Sequence, residues 1–240
     1  MKYVFICVDT QKDYTDKYQI PNIEIILPKL KSLTEAAKSY GVRVVTTRGW
    51  YKPTDVHMSI EPDYENTYPK HCIMGTAGAS FLEETKPEQP LVIDWANTTL
   101  NFPSIHQSRN IVISKSDFLI EKNFKKDFAD PFDGNEYFES IMHNLGITIM
   151  ERPTYIIYGV NVGPTALGLM KRGYDVYVVN DANVNFNGMP LTKDDILKTP
   201  QQQQTGNGLL SQEMGMAGME YQTTTDDTSL KFVTTDAIIG

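Results

Sequence analysis

The sequence is poor in cysteine, and its two thiols do not form a recognisable set. Cys7 and Cys72 are the only cysteines among 240 residues, and histidine occurs four times. Cys7 lies in an apolar run, and Cys72 follows His71 in a long polar stretch. This spacing excludes a disulfide framework and a zinc site built on cysteine pairs. We therefore expect reduced thiols, as in a cytoplasmic protein.

Long hydrophobic runs and an excess of basic charge are also missing. The first apolar run, Tyr3 to Val8, ends at Asp9 and is too short for a signal peptide, and we find no later run that could cross a bilayer. Lysine and arginine total 22 against 30 acidic residues, which gives a formal net charge of −8. That balance disfavours nucleic acid and anionic lipid as partners. A small molecule or another protein is the partner we expect.

Short apolar runs recur along the chain and alternate with helical patterns. Continuous runs of this kind are typical of strands in a parallel sheet that is covered on both faces. Helical spacing extends over residues 23–40 and 134–145, each followed by glycine. The sequence predicts one three-layer, doubly wound α/β domain over residues 1–240, with a mostly parallel, Rossmann-like sheet. The predicted strands are Tyr3 to Val8, Val42 to Thr46, Asn110 to Ser114, Thr154 to Tyr158, Asp175 to Val179 and Lys231 to Thr234.

Two segments depart from this alternation. Residues 48–90 are rich in Pro, Tyr, Thr and Gly, and residues 183–228 include the stretch QQQQTGNG. We interpret both as long loops. The second reads as a flexible surface excursion, with a lid or a subunit-contact arm as the alternative.

Charged residues stand where two predicted strands end. Ligands of doubly wound sheets bind beyond the carboxyl ends of the strands. Asp9 ends the first apolar run and Lys115 ends the run IVISK. Alone, each has an ordinary explanation, a turn aspartate and a solvated lysine. If both reach one cleft, the lysine keeps the carboxylate ionised and can steady a developing oxyanion, and the aspartate can transfer a proton.

Several stretches resemble the nicotinamidase and isochorismatase-like cysteine hydrolases. The matching stretches are FICVDTQKDY, TYPKHCIMGTAGA, YIIYGV, LMKRGYDVYVVNDA and KFVTTDAI, together with Lys115. The resemblance runs nearly end to end and implies the isochorismatase-like fold, which is frequently oligomeric, so a homo-oligomer is expected. In that family an aspartate, a lysine and a cysteine hydrolyse amides or related bonds. Asp9 and Lys115 match the first two as catalytic residues.

The cysteine of that family has no counterpart here. The family's turn reads approximately G-V-A-T-D-x-C-V, whereas Gly159 and Val160 are followed by NVGPTA, a turn shorter by about four residues, or one helical turn. Counting back from the following helix places Asn161 at the nucleophile position, and counting forward places Thr165 there. Neither residue is a thiol. Gly163 and Pro164 still suit a helix start that binds an anion or a carbonyl oxygen.

The metal ligands implied by the resemblance are altered as well. The family commonly carries D-W-H after its second strand and a histidine in the HC element. This chain has Gly49, Trp50 and Tyr51 in the first place and keeps His71. One histidine with a glycine and a tyrosine lacks the donors of a divalent site, and His57 is more simply a surface or hydrogen-bonding residue. We predict no metal and no other cofactor.

Three functions remain open from the sequence. The first is a degenerate hydrolase that binds a small ligand with a carbonyl or carboxylate group, or a partner protein. The alternative is an active hydrolase of an amide or vinyl ether that uses Asp9 and Lys115 without a cysteine. The third is a structural subunit that pairs with an active homologue. The candidate ligand-binding residues are Gln11, Trp50, Tyr51, His71, Asn161, Gly163 and Thr165.

Overall fold

The structure is a computed structural model that describes residues 3–63, 67–95, 101–115, 140–141, 153–193, 195 and 229–240. The elements, in chain order, are β1 (Tyr3–Val8), α1 (Asp13–Asp16), α2 (Ile23–Tyr40), β2 (Arg43–Gly49), β3 (Leu91–Ile93), α3 (Phe102–Gln107), β4 (Asn110–Lys115), β5 (Thr154–Val160), α4 (Gly163–Lys171), β6 (Asp175–Val184), β7 (Leu230–Val233) and α5 (Thr235–Ile239). None of the described helices is both long enough and apolar enough to cross a membrane.

The seven described strands form one sheet in the order β3–β4–β2–β1–β5–β6–β7, and every neighbouring pair is parallel. Each face carries its own apolar core. On one face Leu30 and Leu33 of α2 pack with Phe5, and apolar residues of α5 join them. On the other face Leu169 of α4 packs with Ile6, and α3 lies on the same side. Successive side chains of β1 point to opposite faces of the sheet, so this strand contributes to both cores. The predicted three-layer, doubly wound fold is confirmed.

One strand was not predicted, and others continue beyond their predicted ends: β2 runs to Gly49 instead of Thr46, and β5 to Val160 instead of Tyr158. The edge strand β3 was not predicted, because three residues are too few to give a periodic signal. Strand β6 continues to Val184 past the polar residues Asn180 and Asp181, which had suggested its end. Its pairing with β5 shifts register between Ile157 and Gly159, and the strand resumes beyond that irregularity. The helix expected over 134–145 lies outside the described residues except for 140–141, as does most of the loop expected over 183–228.

The connections of the sheet divide beside its central strand. The chain leaves β1 towards β2 on one side, and it leaves β5 towards β6 on the other, although β1 and β5 are neighbours. In open α/β sheets the crevice in which ligands bind lies at such a divergence, at the carboxyl ends of the two strands. Asp9 follows β1 and Asn161 follows β5. The fold therefore brings both residues to the edge of this crevice.

We expect Gly159→Ala to destabilise the fold strongly. Gly159 pairs with Val8 of β1 and has a φ of +118°, and a Cβ at this position would meet the Val8 carbonyl oxygen and lie 2.8 Å from its amide nitrogen. Backbone strain and a clash with a central strand together predict a loss of roughly 3 kcal/mol or more in the free energy of unfolding, measured in urea.

Gly75→Ala is the matched control for that variant. Gly75 also has a positive φ, +78°, but a Cβ added there would have no atom within 4 Å. Only the conformational cost of about 1 kcal/mol applies at this position. Equal losses in the two variants would contradict the close approach of β1 and β5 as the cause.

Candidate functional site

An ion pair joins the ends of two strands that are not neighbours. The Nζ of Lys115, the last residue of β4, donates a hydrogen bond to Oδ2 of Asp9, which follows β1. The two side chains are only 17% and 13% exposed. Strand β2 lies between them, so the bond spans two strand spacings, about 10 Å from backbone to backbone. The pair predicted from the strand ends is therefore formed at one site, and it is largely shielded from water.

Thr47 of β2 holds the other oxygen of this aspartate. Its Oγ1 donates to Asp9 Oδ1 at 2.7 Å, and the Asp9 amide donates to the Thr47 carbonyl at 3.2 Å. Asp9 has a φ of +49°, in the left-handed region that residues other than glycine seldom adopt. The two hydrogen bonds between Thr47 and Asp9 hold Asp9 in this conformation. Sequence reasoning missed Thr47, whose only signal was a second threonine at the end of an apolar run.

The turn between β5 and α4 consists of Asn161 and Val162. Asn161 has a φ of +51°, and its backbone N–H donates to the Val184 carbonyl at 2.8 Å. Its half-buried side chain makes no hydrogen bond within the described part of the chain. Helix α4 begins at Gly163 without a side-chain cap, and Thr165 is buried in its first turn. The turn therefore offers an amide group and uncapped backbone N–H donors beside the crevice.

The two motifs that carried the family resemblance form one clasp, defined here as Gln11 and Asp13 with the loop segment 71–80. The Gln11 amide donates to the carbonyls of Gly49 and Ala79, both at 2.9 Å, and accepts from the Gly49 amide at 2.8 Å. Asp13 Oδ2 accepts from the Cys72 amide at 2.6 Å. Gln11 is fully buried. Its polar atoms are thus bonded to backbone, which makes it a positioning residue for the site.

Two tryptophans stand beside the ion pair, each with a cation over its ring. The Trp50 amide donates to the Lys115 carbonyl at 3.1 Å, and the Trp95 indole donates to the Trp50 carbonyl at 3.3 Å. The Arg48 guanidinium lies 3.8 Å from the centre of the Trp50 ring, and the Lys52 ammonium lies 4.9 Å from that of Trp95. Hydrogen bonds thus link the Trp50 backbone to Lys115 and the Trp95 side chain to Trp50.

Both thiols are buried and protonated at neutral pH. Cys7 is 2% exposed, with its Sγ 3.3 Å from Thr10 Oγ1, and burial raises its pKa to about 12. Cys72 is fully buried, and burial likewise raises the pKa of its thiol strongly. Because the thiolate is the reactive form of cysteine, neither side chain is prepared for nucleophilic attack.

His71 and Tyr51 lie in a group of packed rings beside the clasp. Tyr51 and His71 are both buried, with ring centres 5.3 Å apart, and His57 lies 4.8 Å from Tyr51 and 5.2 Å from His71. Burial lowers the pKa of His71, and burial followed by the neighbouring His71 lowers the pKa of His57 to about 4. Both imidazoles are therefore neutral at pH 7.

Comparison with known proteins assigns the fold. No protein-family model and no curated protein matches the sequence. Solved structures do match: N-carbamoylsarcosine amidase from Thermoplasma acidophilum superposes with a TM-score of 0.56 at 14% identity, covering 98% of both chains. Pyrazinamidase of Pyrococcus horikoshii in complex with zinc gives 0.57 at 20% identity, covering 98% of this chain and 99% of that one.

An isochorismatase-like hydrolase from Alkaliphilus metalliredigens matches as well, with a TM-score of 0.52 at 14% identity over 100% of this chain and 98% of that chain. The protein thus has the isochorismatase-like hydrolase fold, and this part of the resemblance is confirmed. Identities this low establish the fold alone. The absence of a nucleophilic cysteine and the roles of the site residues stay predictions.

We expect Thr47→Val to weaken the fold by removing the hydroxyl donor from Asp9 while keeping the side-chain shape. A hydrogen bond to a charged group contributes about 1.5–3 kcal/mol, and a loss of that size is expected in urea unfolding at pH 7. Thr46→Val is the matched control, because Thr46 is equally buried on the same strand and does not bond to Asp9. Equal losses in both variants would contradict the anchoring role of Thr47.

The neutral His57 predicts an acid-sensitive fold. Its pKa is lowered from 6.5 to about 4, so between these values the unfolded chain binds a proton that the folded chain does not. The contribution of His57 to stability is therefore complete above pH 6.5 and is lost progressively as the pH falls to about 4. His57→Gln, which does not titrate, should give a shallower fall in unfolding free energy across this window. Parallel curves would refute the prediction.

Proposed function

We propose that this protein is a degenerate hydrolase that binds a small molecule with a carbonyl or carboxylate group at the Asp9–Lys115 pair. The observation that carries the proposal is the combination of an intact, shielded ion pair with an adjoining turn that has an amide side chain in place of a thiol. The scaffold and the charged groups of the site are kept, whereas the group that would attack a substrate is absent from the turn.

The donors around the crevice suit an oxygen-bearing ligand. Lys115 supplies a positive charge, and the side-chain amide of Asn161 can donate a hydrogen bond. The uncapped start of α4 adds backbone N–H groups. The Trp50 backbone is bonded to Lys115. Because Arg48 covers one face of the Trp50 ring, the opposite face would be the surface against which a flat ring packs. Together these groups can orient a carbonyl or a carboxylate without forming a bond to it.

Covalent catalysis lacks a nucleophile at this site. Asn161 has no nucleophilic oxygen, and Thr165 is buried with no base bonded to its hydroxyl among the described residues. Cys7 and Cys72 are protonated and buried. Removing the nucleophile from a catalytic set typically costs on the order of a millionfold in rate. Activity through an acyl-enzyme intermediate is therefore not expected.

A noncovalent hydrolase is the second candidate, and the Asp9 anchoring favours it. Thr47 and Lys115 hold both carboxylate oxygens at the crevice, which is the positioning that a proton-transfer group requires. In this alternative the Asp9 carboxylate would first take up a proton from water and then act as the general acid on a vinyl ether or amide, and Lys115 would orient the substrate. The similar solved structures include amidases, so amides belong in the test.

The test measures binding and turnover on the same compounds. Nicotinamide, nicotinic acid, aliphatic amides and isochorismate would be titrated by calorimetry and incubated for product detection by mass spectrometry. We expect binding without turnover. Lys115→Met should weaken the binding of a carboxylate at least tenfold, equivalent to about 1.4 kcal/mol. Cys72→Ser should leave binding unchanged, because the thiol lies outside the proposed contacts.

The other outcomes separate the alternatives. Turnover that Asp9→Asn abolishes and Cys72→Ser preserves would establish the noncovalent hydrolase and overturn the degenerate one. Turnover that Cys72→Ser abolishes would reveal a thiol mechanism and contradict both. If no compound is bound or turned over, the proposed ligand is refuted, and a structural role beside a homologue is favoured.

A further inference from the structure

A group of packed rings beside the clasp includes Tyr51 and His71, which stand at positions where the family resemblance implied metal ligands. We define the ring cluster as Tyr14, Tyr18, Tyr51, His57, Tyr68 and His71. His71 stands at its centre, with the ring centres of the other members between 5.2 and 6.4 Å away. A pyrazinamidase with this fold binds zinc. Whether the residues of this chain fit a cation can be judged from the donors and the space that they leave.

The space at residue 49 is occupied by the Tyr51 ring. A Cβ added to Gly49 would lie 2.5 Å from Tyr51 Cε2 and 2.8 Å from its Cζ. Tyr51 cannot easily retreat, because it is buried and its ring packs against His57 and His71. Its backbone is also bonded on both sides, to Cys72 and Met74. A carboxylate side chain at position 49 is therefore incompatible with the present position of Tyr51.

The described side chains around Tyr51 and His71 do not supply the missing metal ligands. Within the described residues, no group of three histidine, cysteine, aspartate or glutamate side chains converges on a possible cation site. Tyr51 places a phenol among the imidazoles, and burial raises its pKa well above the ordinary value, so its oxygen stays protonated. A divalent cation such as zinc needs deprotonated or neutral donors of which three or four point at one position. The described residues do not fit the group.

We infer that Gly49 and Tyr51 are a coupled pair that replaces a divalent cation centre with ring packing, so that this protein does not take up zinc at the end of β2. The inference is independent of the proposed ligand site, because it rests on the steric relation between two residues. It predicts that Gly49 cannot be changed alone to a metal ligand without displacing the Tyr51 ring.

A double-mutant cycle tests the coupling through stability. Gly49→Ala should lower the melting temperature by roughly 5 °C or more, since the new methyl group meets a ring that is packed in place. In the Tyr51→Ala background the same change should cost much less, because the ring is gone. Gly49 has an ordinary φ, so backbone strain does not contribute. Equal costs in both backgrounds would overturn the coupling.

Zinc binding tests the replacement itself. Calorimetry with zinc chloride, and metal analysis after gel filtration, would compare the wild type, His71→Ala and the double variant Gly49→Asp/Tyr51→His. We expect the wild type to bind zinc no more tightly than His71→Ala, and the double variant to bind one equivalent at least tenfold more tightly. A stoichiometric zinc site in the wild type that His71→Ala removes would overturn the inference. A folded double variant without any gain would show that the pair does not bar the cation.

Discussion

The buried ion pair between Asp9 and Lys115 is the constraint around which the carboxyl edge of the sheet is arranged. A shielded carboxylate is costly unless a charge and hydrogen bonds compensate it, and here an ammonium and the Thr47 hydroxyl do so. Because Lys115 belongs to β4 and Asp9 follows β1, the pair also ties the ends of these strands across β2. Any change in the site must therefore preserve a structural bond.

The clasp gives a structural role to the motifs that carried the family resemblance. Gln11, Asp13 and Cys72 are among the residues that make the sequence resemble a hydrolase. In the structure they join the end of β1 to the loop segment 71–80 through hydrogen bonds between side chains and backbone. Gly78 is part of the same arrangement, since a Cβ there would overlap the Asp13 carboxylate. These residues are needed to build the fold whether or not chemistry occurs. Their presence consequently supports the scaffold and says little about catalysis.

The sequence predicted most of the fold, and it predicted the ion pair, because both depend on local signals. Buried parallel strands are continuous apolar runs, and Asp9 and Lys115 interrupt two of them at their carboxyl ends. Contacts between distant segments gave no such signal. The hydroxyl bond from Thr47 and the use of the Gln11 amide within the clasp depend on how β2 meets β1 and a loop, and only coordinates reveal them. Strand β3 was missed because it is very short.

Two positions that depart from the pattern of the resembling family, residues 161 and 49, have different surroundings in the structure. Asn161 has a left-handed backbone conformation in a two-residue turn, and its backbone N–H is bonded to Val184 of β6. At the end of β2, the Tyr51 ring lies where a side chain at Gly49 would stand. A side chain added at Gly49 would therefore meet a packed ring, whereas the Asn161 side chain makes no hydrogen bond within the described residues. A change at residue 49 therefore depends on residue 51, and the effects of substitutions at two such contacting positions are not additive.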